Sequence, residues 1–254
     1  MRFHVLAFGK AALVGSAGDV QLVAVPEQPF SQSAAQNFTV PVPLNCVAAY
    51  AGGATLSRAR FNTGSLRARG FPQIYPLNLQ TIPPSPVSVA DFRPYPVQFH
   101  AQEDLRVDIT SGIANDQVAL AFVTPEPVNY NINARDLRML RFTASPTNIA
   151  IGWSQPVAIA FQDTLEGGSY DIYGMGVQGS SSIAARLILQ GEFYRPGCLV
   201  QFLNTGVPHP MFMGQLGKWA SFSIYSPPQI ETLGASAAAE ALNGWLLCSK
   251  SMAA

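Results

Sequence analysis

Asp104-Leu-Arg-Val-Asp-Ile-Thr110, followed shortly by Gln117-Val-Ala-Leu-Ala-Phe-Val123, decides how the rest of the chain is read. In the first run Leu105, Val107 and Ile109 alternate with Arg106, Asp108 and Thr110. That is the period-two signature of a strand with one face on a core and one on solvent. The second run is apolar at nearly every position, as in a strand buried on both faces. Asn115-Asp116 between them reads as a turn. A strand covered on both faces needs protein on each side of its sheet.

The same texture extends outward. Phe38, Val40 and Val42 alternate with Thr39 and Pro41, and Pro41 and Pro43 place that piece at a sheet edge or strand end. Further strands are expected at 137–142, 157–161, 169–177, 183–190, 198–203, 218–225 and 244–249. Turn signals separate them: Glu166-Gly167-Gly168, Gln178-Gly179-Ser180, Arg195-Pro196-Gly197 and Pro227-Pro228. Helical signal is thin. Residues 236–242 suit about two turns, stopped by Asn243-Gly244. Residues 47–60 are ambiguous, and Gly52-Gly53 weakens a helix there. Many short strands joined by Gly- and Pro-rich turns indicate sandwiches or barrels.

At 254 residues the chain suffices for two β-sandwiches of roughly 100 residues each. Pro83, Pro84, Pro86, Pro94 and Pro96 make 81–96 extended and irregular, a loop inside the first half. The better boundary runs from Thr124-Pro125-Glu126-Pro127 to Asn133, dividing the chain into 1–130, with an N-terminal hairpin or arm, and 131–254. No close sequence repeat relates the halves.

Composition narrows the function. Hydrophobic residues are 48% of the chain, enough for a real core. Charged residues are 12%, against about 25% in ordinary soluble domains, and the net charge is zero. Little repulsion keeps copies of such a chain apart. No basic tail is present to neutralise phosphates, so direct condensation of a genome is not expected. Cys46, Cys198 and Cys248 match neither a disulfide framework nor a zinc pattern and are expected as buried free thiols. The apolar run from Phe3 to Val14 faintly resembles a signal peptide, but His4 and Lys10 interrupt it. The longest uncharged stretches contain Pro and many polar residues and are poor membrane spans.

Catalytic signatures are sparse. His4, His100 and His209 form no metal-binding pair, and no G-x-S-x-G elbow or phosphate loop occurs. Asp163, Glu166 and Asp171 lie close enough in sequence to suggest a glycosidase pair, as do Glu103, Asp104 and Asp108, although turn carboxylates are the plainer account. Trp153, Trp219 and Trp245, with eight tyrosines, leave open a carbohydrate- or receptor-binding sandwich. Asn37-Phe38-Thr39 is a formal glycosylation sequon lying in an apparent strand. The most unusual local feature is basic: Arg58, Arg60, Arg67 and Arg69 within twelve residues. Arginine's planar fork suits interface carboxylates and lipid phosphates, so these four are candidates for subunit or headgroup contact.

Taken together, 54–67, 104–120, 168–178, 185–191, Arg195-Pro-Gly-Cys198 and Gly214-Gln-Leu-Gly-Lys-Trp219 resemble double jelly-roll major capsid proteins of tailless icosahedral bacteriophages, of the finnlakevirus and corticovirus types. The resemblance implies an all-β fold of two tandem eight-stranded antiparallel jelly rolls. It implies homotrimers tiling an icosahedral shell, with a penton-type protein as a further virion partner and an internal lipid membrane in many relatives. It implies a virion component assembled in the host cytoplasm, with no cofactor, no enzymatic activity and no sequence-specific nucleic-acid contact.

Overall fold

The computed structural model describes residues 2–9, 20–21, 23–24, 37–52, 56–68, 74–77, 90–111, 117–125, 137–149, 152–202, 216–234 and 237–251. In the first half, one sheet runs β3 (Val23–Ala24), β1 (Phe3–Gly9), β11 (Gln117–Val123), β5 (Leu44–Gly52), β8 (Ala90–Asp91), with β9 (Val97–Phe99) also beside β5. The facing sheet runs β2 (Val20–Gln21), β10 (Asp104–Ser111), β6 (Leu56–Asn62), β7 (Ile74–Leu77), with β4 (Phe38–Thr39) beside β10. A five-residue helix, α1 (Gly64–Ala68), links β6 towards β7.

The second half repeats this plan. Its strands are β12 (Arg138–Ala144), β13 (Val157–Ala158), β14 (Ala160–Phe161), β15 (Ser169–Gly179), β16 (Ser182–Ile188), β17 (Gly197–Phe202), β18 (Ala220–Ser223), β19 (Gln229–Gly234) and β20 (Leu242–Lys250). Strands β12, β20, β15 and β18 lie side by side, and so do β13, β19, β16 and β17. Let β2 with β3 and β4, β8 with β9, and β13 with β14 each count as one interrupted strand, β4 lying beside β10 as β2 does. Each half then has one sheet in the order first, eighth, third, sixth and another in the order second, seventh, fourth, fifth. That is the order of a jelly roll. The protein is therefore all-β, two jelly rolls in tandem. A short parallel contact, Val177–Gly179 on β15 with Val200–Phe202 on β17, joins the two sheets of the second roll.

Alternation decides which residues meet. Leu105, Val107 and Ile109 point inward with Phe61, against Leu6, Phe8, Val118, Leu120 and Phe122 from the other sheet. The other apolar residues of β1 and β11, namely Phe3, Val5, Ala7, Ala119, Ala121 and Val123, join a second apolar cluster that includes the core of the second roll. Strand β11 is thus buried on both faces because the second roll packs on the outer face of its sheet. The alanines keep that face flat enough for close approach.

Residues 47–60, ambiguous in the sequence, are strand where described, in β5 and β6. One expectation is corrected. Residues 237–242 are not helical; Ala239 forms a bridge with Thr147, and Glu240 turns into a buried polar network. Alanine's helix propensity, a few tenths of a kcal/mol per residue, loses to these tertiary contacts. Residues 3–9 of the apolar run at the N-terminus are β1, residues 10–14 lie outside the described residues, and β19 had no expectation at all. In the proline-rich segment Pro94 and Pro96 fall between β8 and β9, while 81–89 and the turn Asn115-Asp116 lie outside the described residues.

Candidate assembly surfaces

The arginine cluster rests on β6 and the helix after it. Register sets Arg60 opposite Asp108 and Arg58 opposite Thr110 on β10. Phe61 faces the core, so Arg60 faces out from the roll. Its Nε lies 4.0 Å from the Asp108 carboxylate. Arg106 closes on the same group, its Nε donating at 2.8 and 3.0 Å. Asp108 is buried beneath them. Arg67 is exposed on α1, whose first turn is capped by Thr63: its hydroxyl accepts the Leu66 N–H at 3.3 Å. Only the backbone position of Arg58 is described, and Arg69 lies outside the described residues.

A second cation–carboxylate couple holds the two rolls together. Register sets Arg186 on β16 opposite Glu231 on β19. Arg186 Nε donates to Glu231 at 2.8 Å, and Arg195 adds bonds of 2.9 and 3.0 Å. The Arg186 guanidinium lies 3.8 Å from the Trp153 ring centroid and donates to the Val5 carbonyl at 3.0 Å. The Val5 N–H donates to the Arg195 carbonyl at 3.1 Å, and the Arg195 N–H donates to His4 Nδ1 at 2.9 Å. Phe3 meets Trp219 edge-on at 5.0 Å. Removing a charge this buried from water costs several kcal/mol. Here ion pairs, a carbonyl and an aromatic face offset that cost.

Carboxylates elsewhere are engaged in structure. Glu240 accepts from the backbone N–H groups of Ser180 and Ser181, the hydroxyls of Ser180, Ser181 and Ser182, and the Asn148 amide. Burial alone would raise its carboxyl; the bonds from Ser181, Ser180 and Ser182 outweigh it and hold the group below its ordinary value. This node ties the turn after β15 to the segments after β12 and before β20. Burial also opposes ionisation of Asp171, but Lys218, Ser251 and Ser221 hold its carboxyl low. Arg141 and Asp163 pair at 2.8 Å on the surface, and Lys250 and Glu166 at 3.1 Å. Asp163, Glu166 and Asp171 therefore each have their own cation, Arg141, Lys250 and Lys218. Among the described residues no group of His, Cys, Asp and Glu is arranged to hold a metal.

Two of the three tryptophans are packing residues: Trp153 beneath Arg186 and Trp219 against Phe3, both buried. Trp245 is half-buried, its indole lying over Gly176, where a Cβ would collide with it. All three cysteines are free and buried, and burial pushes their thiols up. Large apolar side chains left exposed on the single chain include Tyr95, Met139, Phe193 and Tyr225. Among the described residues no helix is long and apolar enough to cross a membrane.

The composition signal, an Arg-rich run, was visible in the sequence. The couples it belongs to were not, because each depends on which strands become neighbours. No family model and no curated protein matches the sequence. Among solved structures, the major capsid protein P2 from bacteriophage PM2 is similar over 97% of each chain at 10% identity. The TM-score is 0.24, at which the likeness carries no argument.

Proposed function

We propose that this chain is a non-enzymatic structural coat subunit that assembles as trimers into an icosahedral virus shell, dividing into rolls at 1–130 and 131–254. The observation that carries the proposal is the doubled jelly roll with a buried junction. The outer face of one roll's sheet is covered by the other roll, so the chain is a stiff two-unit tile. The low charge, 12% of residues, fits a tile whose flanks meet other copies. Burial of Trp153 and Trp219 and the separate pairing of Asp163, Glu166 and Asp171 weigh against sugar binding and glycoside hydrolysis. Arg67, exposed on α1, is the described member of the arginine cluster best presented to a neighbouring subunit or a lipid headgroup.

Light scattering coupled to size exclusion, followed by electron microscopy of the same sample, tests the proposal. Trimers or shells are expected. A species that stays monomeric at high concentration and forms no particles counts against it. Flotation with anionic vesicles, for wild type and Arg67→Glu, tests the headgroup role separately.

A further inference from the structure

Of the two histidines among the described residues, His100 is exposed and His4 is buried. His4 lies on β1 where the first roll meets the second. Its Nδ1 accepts the backbone N–H of Arg195 at 2.9 Å. A ring nitrogen that accepts carries no proton, so the imidazole is neutral and its proton sits on Nε2. Two further bonds cross the junction beside it. The Val5 N–H donates to the Arg195 carbonyl at 3.1 Å, and Arg186 donates to the Val5 carbonyl at 3.0 Å. His4 therefore fastens the same short segment, 194–196, that the neighbouring backbone holds.

The ionisable groups around the ring come from both rolls. Tyr194 meets the His4 ring edge-on at 6.2 Å, and the Arg2 guanidinium lies 5.3 Å from the Tyr194 ring centroid. Arg195 and Arg186 both donate to Glu231. Strand β11 sets Phe122 opposite His4 and carries no ionisable side chain. A proton added at Nδ1 would do two things. It would set an N–H against the Arg195 N–H, and it would place a new cation in a buried site next to Arg195 and Arg2. The first removes a hydrogen bond and leaves a buried donor unmet; the second costs desolvation.

We propose that His4 is an acid-sensitive latch between the two rolls: neutral, it holds the segment before β17 on β1; protonated, it lets that segment go. Histidine is the side chain whose ordinary titration, near pH 6.5, makes such a latch work close to neutrality. The sign follows from which form the junction admits. The folded chain excludes the extra proton and the unfolded chain accepts it. The contribution is thus complete above about pH 6.5 and is lost as the pH falls below that value. The device acts within one chain, so the mass of the oligomer does not bear on it.

The test uses the full chain as wild type and as His4→Asn. The asparagine side-chain oxygen can stand where Nδ1 stood, and it does not titrate. Melting temperature and tryptophan emission are followed from about pH 7.5 to about pH 5.5, above the range in which Glu240 titrates. Trp219 packs on Phe3 and Trp153 lies under Arg186, so emission reports on the junction itself. Over that window the wild type should lose roughly 3 °C, with its emission moving to longer wavelength. His4→Asn should lose less than half as much. Equal losses in the two proteins overturn the inference and leave the coat proposal standing. Should His4→Asn misfold, nitrogen NMR of histidine-labelled wild type decides, the His4 signal being assigned by its absence from that variant's denatured spectrum and by its contact with Tyr194. A neutral ring with a bare Nδ1 at pH 7.5 is expected; a proton on Nδ1 at that pH overturns the inference.

Discussion

Glu240 shows how much a single side chain contributes to this fold. Six donors converge on a carboxylate that is almost wholly buried, and hydrogen bonds to a charged group contribute about 1.5–3 kcal/mol each. Glu240→Ala, which strands those donors, is expected to lower stability by roughly 2–4 kcal/mol in urea unfolding. The pH dependence follows from the depressed carboxyl. Its stabilisation is complete above the ordinary value of 4.5 and is lost as pH falls through the lower value of the folded state. Urea midpoints should therefore drop below that pH, and drop less steeply in Glu240→Gln. Arg186 is the second case. Arg186→Ala should cost about 3–5 kcal/mol, because Glu231 stays buried with one cation fewer and the Val5 carbonyl loses its donor. Neither role was legible in the sequence: the partners of Glu240 lie 58 or more residues away, and Val5 lies 181 residues from Arg186.

At the scale of elements, the sequence was most informative where one face is wet or where an apolar run ends in turns. Asp104–Ser111 and Gln117–Val123 were readable almost to the residue, because alternation and full burial leave different patterns. Strand β1 was obscured by having no alternation: both its faces are covered, one by its own roll and one by the other. Strand β19 was obscured because Glu231 and Thr232 look solvent-facing yet bind Arg186 and Ser154 inside the protein. The equivalence of β1 with β12 was invisible for a similar reason. Strand β1 is buried along its whole length, whereas β12 alternates, leaving Met139 and Arg141 exposed. Packing between elements also fixes glycines. A Cβ on Gly197 would meet the Ala185 carbonyl and the Arg186 side chain where β17 crosses β16. Gly197→Ala should cost roughly 1–3 kcal/mol in thermal unfolding. Gly167→Ala, with nothing within 4 Å, serves as the near-neutral control.

The whole molecule is two rolls that share one apolar cluster, so they are expected to melt together. A single calorimetric transition in wild type is the outcome expected of the shared core. In Arg186→Ala the transition should shift down or split, since the junction is what couples the rolls. The low charge that first suggested self-association is explained at this scale. Part of the surface that separate rolls would expose is roll-to-roll contact, where β1 and β11 join the apolar cluster of the second roll. The most direct test of the account is the mass of the purified wild-type protein in solution, measured by light scattering at micromolar concentration. Three chains, or a closed particle built from threes, is the predicted result; a persistent single chain at every concentration would contradict it.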